Sequence, residues 1–227
     1  MAFVSESMAT IPALEQLLSS DERCIAGRFL RLVDRNRYIV AHGILRQLLG
    51  RYLACEPAGL AFETGEFGKP TVVLRTERPA VSFNMAHSGD VILYAVANGC
   101  RVGVDVEAIR VDRDLMELAE SQFSRDEVAA LQAIESVERA AAFYRCWTLK
   151  EAYVKARGEG LGFPLKQFSV TIGSQESPAI RWVSDDPLAA ERWSVFGFSP
   201  APGYAGALMA EGRSMRRIER RWRELVV

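Results

Sequence analysis

The sequence has only two histidines, no HExxH or CxxC pair, and no apolar run that reaches the roughly 18 residues of a membrane span. A zinc enzyme and a membrane-spanning protein are therefore not expected. Cys24, Cys55, Cys100 and Cys146 are widely spaced and sit mostly in apolar runs, so they read as buried free thiols in a reduced compartment. The opening MAFVSESMATIPALEQLL lacks the positive start and continuous apolar core of a signal peptide, which makes the cytoplasm the expected location. Charge of one sign is missing too. Lys and Arg number 28 against 29 Asp and Glu, a formal net charge of -1, so no global field draws the chain to nucleic acid or to anionic membranes.

What is present is an ordinary globular composition, 49% hydrophobic and 25% charged over 227 residues, long enough for a substantial core. Asp34 is placed to cap a helix through about Tyr52, with Tyr38, Ala41, Leu45, Leu48, Leu49 and Tyr52 at helical spacing. GEFGKPTVVL reads as a glycine-rich turn feeding a strand, and VSFNMAHSG as an alternating strand that ends at Ser88-Gly89. VILYAVA and CRVGVDVEAI, joined by Asn98-Gly99, predict a β-hairpin. Ser124 and Glu127 predict a capping box, and a longer helix is expected from about Val137 to Arg157, stopped by Gly158. FSVTI, AIRWV, WSVFGFS and YAGALMA return to strand character. The order suggests an α+β fold of two halves, 1–109 and 110–227, sharing one interface in a single compact unit.

In RVGVDVE the strand period puts Val102, Val104 and Val106 on one face and Gly103, Asp105 and Glu107 on the other. Two carboxylates about 7 Å apart repel, which favours a cation between them, and Mg²⁺ suits oxygen ligands; a solvated strand end is the alternative. On the later helix Trp147, Glu151 and Lys155 form one stripe, with Lys150 and Val154 beside it. Gly68-Lys69-Pro70 is not a P-loop, because neither GxxxxGK nor a following Ser or Thr is present. Gly158, Gly160 and Gly162 follow a helix instead of opening one, so they form no dinucleotide fingerprint. The tail RSMRRIERRWREL reads as a solvated amphipathic helix.

GKP, FNMAHSG, GVDVE and WTLKEAYVK, in that order, resemble the 4′-phosphopantetheinyl transferases of the surfactin-synthetase-activating type, and the likeness spans nearly the whole chain. The resemblance implies two similar α/β halves in pseudo-twofold arrangement with the active site between them. It implies attack by a serine of an apo acyl or peptidyl carrier protein on the β-phosphorus of coenzyme A, releasing adenosine 3′,5′-bisphosphate. By the same resemblance Asp105, Glu107 and Glu151 hold Mg²⁺, and Lys155 meets the pyrophosphate. Arg37 and His87 serve the 3′-phosphate, Gly68, Lys69 and Pro70 line the adenine end, and Lys150 contacts phosphate or handles a proton. Either Glu151 or a metal-bound water takes the serine proton. Ala86 stands where the family has a serine, so a phosphate contact is expected to be lost, at about 1 kcal/mol. A monomer is expected, and Leu115, Met116, Leu118 and Phe123 of DLMELAESQF read equally as the carrier-docking surface or as an amphipathic helix packing on the core. The alternatives are a catalytically silent coenzyme A or carrier-binding module on the same fold, and an unrelated magnesium phosphohydrolase.

Overall fold

The computed structural model describes residues 1–73, 81–111, 114–173 and 176–222. A short strand β1 (Ala2–Phe3) leads into helices α1 (Ile11–Leu17), α2 (Ser20–Gly27) and α3 (Leu32–Leu53). Strands β2 (Phe62–Thr64), β3 (Pro70–Val72), β4 (Val81–Ser88), β5 (Val91–Asn98) and β6 (Val102–Ala108) follow. Then come α4 (Leu115–Gln122), α5 (Arg125–Ala133) and α6 (Ser136–Arg157), strands β7 (Phe168–Val170) and β8 (Ile180–Val183), α7 (Ala189–Arg192), and strands β9 (Trp193–Phe198) and β10 (Tyr204–Glu211).

Two antiparallel three-stranded sheets, ordered β1-β5-β4 and β6-β10-β9, are each backed by one 22-residue helix, α3 and α6 respectively. The two small ribbons are β2-β3 and β7-β8. One apolar cluster surrounds α6, with Phe143, Leu149, Tyr153, Phe168 and Met209; a second lies between α1, α3 and β5. A third joins the two sheets through Leu93 of β5 and Val102, Val104 and Val106 of β6. The fold is thus α+β with a repeated helix-on-sheet unit. Among the described residues no helix is long and apolar enough to cross a membrane.

The hairpin expected at Asn98-Gly99 does not form. β6 pairs instead with β10, seven residue pairs from Val102↔Ala210 to Ala108↔Tyr204, and so lies in the second sheet although it precedes residue 109. The tight hairpin is β4–β5, closed by Gly89-Asp90, with Gly89 at φ +55, the conformation that glycine adopts without strain. Side chains of β4 stitch across to β6: Asn84 Oδ1 accepts from the Val104 amide at 2.8 Å, and Ser88 Oγ accepts from the Ala108 amide at 3.0 Å. The equal offsets (84 to 104, 88 to 108) make the two strands parallel neighbours, so β6 lies beside β4 and does not pair with β5.

Three further expectations are corrected. The N-cap of α3 is Arg31, with Asp34 inside the first turn. Cys24 and Cys55 are exposed and only Cys146 is buried. The tail from 212 to 221 is not helical but strap-like: Trp222 beyond it donates its amide to Met1 O at 2.8 Å, and Arg217 stacks on Phe198 at 4.5 Å. Arg223, Glu224 and Leu225 of the expected helix, and Leu74 of the expected strand, lie outside the described residues.

Candidate active site

Gly103 sets the distance between the two walls of the site. A Cβ there would stand 2.1 Å from Ala152 O and 2.4 Å from Ala156 N, so the backbone of α6 rests directly on β6. Asp105 and Glu107, on the same strand face, then meet the helix stripe that carries Glu151 and Lys155. Lys155 Nζ donates to Asp105 Oδ1 at 2.5 Å, while Asp105 Oδ2 is buried without a hydrogen-bond partner. Glu107 Oε2 accepts from Ser88 Oγ at 2.8 Å.

This clustering shapes the protonation of the carboxyls. Burial pushes the Asp105 pKa up to about 7, against the pull of Lys155, and the nearby Glu107 and Glu151 charges push in the same direction as burial. The Glu151 carboxyl is likewise raised by burial, with Lys155 opposing and Glu107 adding. Among the described residues no three acidic, histidine or cysteine side chains stand ready-made as a metal cage. The donor set nevertheless fits a hard cation: the orphaned Asp105 Oδ2 is a buried acceptor with nothing to accept, and Mg²⁺ takes only one or two carboxylates, with water and phosphate completing its shell.

At the far end of β4, His87 feels Arg37, His42 and Lys155. Desolvation first, then the charge of Arg37 and the nearness of His42 and Lys155, hold its imidazole pKa below the usual value. Arg37, on α3, donates from Nε to Gly89 O at 3.1 Å and from a terminal nitrogen to Asp34 at 3.0 Å, which fixes it beside the β4–β5 turn. Cations from both halves of the chain therefore flank the carboxylates.

Lys69 lies at this cleft in a different way from that expected. Its ammonium donates to Val102 O at 2.9 Å and to Lys155 O at 2.7 Å, and burial lowers its pKa to about 8. It ties the β2–β3 turn to the last turn of α6. In that turn Gly68 takes φ +84, Pro70 opens β3, and Phe67 packs so closely on Gly160 that a Cβ there would stand 3.0 Å from Phe67 O.

Two predicted residues are not brought to the cleft. Lys150 is fully buried: it donates to Glu127 Oε1 and Oε2 and to Phe168 O at 2.7–2.8 Å, with its ammonium 4.1 Å from the Phe168 ring centre. One position round the helix from Glu151, it faces the core of the second half. Ala86 is buried in the apolar cluster between the sheets, on the face of β4 from which Asn84 and Ser88 reach the β6 amides. Trp147 packs against Phe143 and Phe123. Leu115 and Phe123 of the expected docking segment are buried as well.

Sequence reasoning missed Asn84 and Ser88, and read Glu127 as the capping-box partner of Ser124, which it is, without its link to Lys150. Asn84 carried a readable signal, a polar residue within an apolar strand; the partners of Ser88 and Glu127 lie 19 and 23 residues away and left none.

Residues 101–208 match a family model described as the 4′-phosphopantetheinyl transferase superfamily, and residues 5–99 one described as 4′-phosphopantetheinyl transferase, N-terminal. The chain is 32% identical over 199 residues, 88% of its length and 81% of the relative's, to the 4′-phosphopantetheinyl transferase HetI of Nostoc sp.. It is 31% identical over 187 residues, 82% of this chain and 77% of the other, to the 4′-phosphopantetheinyl transferase psf-1 of Bacillus pumilus. A solved holo-[acyl-carrier-protein] synthase of Thermotoga maritima, 24% identical, overlays 50% of this chain and 63% of its own with a TM-score of 0.39.

Proposed function

The chain belongs to the 4′-phosphopantetheinyl transferase superfamily, and on that premise we propose that it transfers the phosphopantetheine arm of coenzyme A to a serine of an apo acyl or peptidyl carrier protein, releasing adenosine 3′,5′-bisphosphate. The observation that carries the reading is the meeting of Asp105 and Glu107 with Glu151 and Lys155 in one cleft, where Asp105 Oδ2 is a buried acceptor without a donor.

Asp105, Glu107 and Glu151 would hold Mg²⁺, which when bound offsets the charge of the pyrophosphate. Lys155, the cation now paired with Asp105, donates to the phosphate oxygens and stabilises charge at the leaving group. Glu151, its pKa raised by burial, is suited to take the proton of the attacking serine. Arg37 attracts the 3′-phosphate and His87 meets it as a neutral hydrogen-bond donor, its pKa held below the usual value, while the Gly68-Lys69-Pro70 turn lines the adenine end, held there by the Lys69 ammonium. Lys150 takes no part in the chemistry; it belongs to the core that holds α6. A monomer suffices, since both walls of the cleft come from one chain, and the cytoplasm is the expected site of a reaction that consumes coenzyme A.

The test is to incubate the protein with coenzyme A, Mg²⁺ and an apo carrier protein and weigh the carrier. A gain of about 340 Da is expected, the mass of the arm as a phosphoryl-transfer product. Omission of Mg²⁺, or Asp105→Ala, should abolish the gain; turnover near that of the unmodified protein in either case would sink the metal assignment.

A further inference from the structure

Ser88 closes β4 just before the Gly89-Asp90 turn, and its hydroxyl is committed twice. A serine hydroxyl has one proton to give and lone pairs that accept. The Ala108 amide, 3.0 Å away, can only donate, so Oγ accepts there and gives its own proton to Glu107 Oε2 at 2.8 Å. Among the described residues no donor reaches the other Glu107 oxygen, Oε1.

The tether behind this hydroxyl is stiff. Ser5 donates from its amide and its hydroxyl to the Asp90 carboxylate at 2.7 and 2.6 Å, the Asp90 amide donates to Tyr204 Oη of β10 at 3.3 Å, and Arg37 Nε donates to Gly89 O at 3.1 Å. Earlier on the same face of β4, Asn84 Oδ1 takes the Val104 amide at 2.8 Å, which fixes the height of β4 against β6. Ser88 therefore has little freedom to follow Glu107, and Glu107 is held to Ser88.

Glu107 needs such a holder. Its side chain is long, and it stands half-buried on the strand face it shares with the buried Asp105, whose Oδ2 has no partner. Two like charges so placed turn away from each other unless something retains them. The Ser88 hydroxyl opposes that movement, gives Oε2 a donor, and leaves Oε1 open to a cation.

We propose that Ser88 is a positioning residue for the divalent cation: by holding Glu107 Oε2 it pre-sets the carboxylate, offers Oε1 to the metal, and ties the metal end of the cleft to the turn that Arg37 grips. The proposal rests on the reading of Asp105, Glu107 and Glu151 as the ligands of a transferase's cation. It gives Ser88 no part in the chemistry itself.

The test is binding of Mn²⁺, an oxygen-seeking stand-in for Mg²⁺, followed by the electron paramagnetic resonance of the free ion with and without coenzyme A. The unmodified chain is compared with Ser88→Ala and Ser88→Thr. Ser88→Ala should raise the Mn²⁺ dissociation constant about tenfold or more, the usual effect of removing the hydrogen-bond partner of a metal ligand. Ser88→Thr keeps a hydroxyl on a residue that strands favour, and should return the constant to within about threefold of the parent. In transfer assays the Mg²⁺ concentration for half-maximal rate should move the same way, with the KM for the carrier protein within about twofold. Unchanged Mn²⁺ affinity in folded Ser88→Ala overturns the proposal whatever happens to Tm, because a merely structural serine would lower Tm alone. A loss that Ser88→Thr fails to restore overturns it too, as does an unmodified chain that takes up no Mn²⁺ even with coenzyme A. An unmodified chain that binds Mn²⁺ but adds no mass to any carrier removes the transferase reading and leaves the role of Ser88 to the binding data. Transfer with parent-like Mn²⁺ affinity in Ser88→Ala removes only this proposal.

Discussion

With Lys155 donating to one oxygen and nothing to the other, the Asp105 carboxyl holds its proton up to about pH 7. The folded state therefore binds a proton that the unfolded chain, with an ordinary carboxyl near pH 4, has already released. The resulting stability is fully present below about pH 4 and is lost as pH rises to about 7, by at most about 1.4 kcal/mol per pH unit. Asp105→Asn should remove this slope and make the metal-free protein more stable than the parent at pH 8. Denaturant midpoints measured from pH 5 to 8 in a chelator check this, and parallel curves for parent and variant would place the proton elsewhere. The same carboxyl must be ionised to hold a cation, so a residue poor for the empty fold is suited to the loaded one.

At the scale of elements, the site depends on how α6 sits against β6. Gly103 allows their backbones to touch, and Gly103→Ala forces them apart or clashes with Ala152 O, so a loss of about 1–3 kcal/mol or more is expected in chemical denaturation, together with loss of transfer. Lys150 fixes the rotation of the helix through its buried pair with Glu127, which also caps α5 through Ser124 and accepts from the Val170 amide at 2.8 Å. Lys150→Met strands Glu127 in the core, and should cost on the order of 3–5 kcal/mol of folding stability. A stable but inactive Lys150→Met protein would instead return this lysine to the chemistry. Exposed pairs such as Arg181 with Glu176 should contribute well under 1 kcal/mol by comparison.

Over the whole molecule, two sheets meet edge to edge, and the C-terminal strap crosses the side opposite the carboxylates. It borders a cavity of about 800 Å³ lined by Leu93, Val104, Phe198 and Leu208. The strap joins the ends of the chain through Trp222, and Arg221 also pairs with Glu6. Ending the chain after Gly212 should lower Tm by roughly 2–4 °C per kcal/mol lost, while the KM for coenzyme A stays within about twofold. A truncated protein with unaltered Tm would show that the strap adds nothing to the fold.

The helices, the strands and the opposed faces of RVGVDVE were determined by local pattern: apolar spacing, a capping box and glycine stops act over a few residues and survive in any fold. The nearness of the Asp105–Glu107 pair to Glu151 and Lys155 followed from a likeness of motifs, not from spacing. What only the tertiary structure decided was pairing and burial. β6 left its neighbour β5 for β10 because the gain from burying Val102, Val104 and Val106 between two sheets outweighs what a local turn signal supplies. Lys150, adjacent in sequence to Glu151, went to the core because one step along a helix turns a side chain by about 100°, and Glu127 was waiting there with a compensating charge.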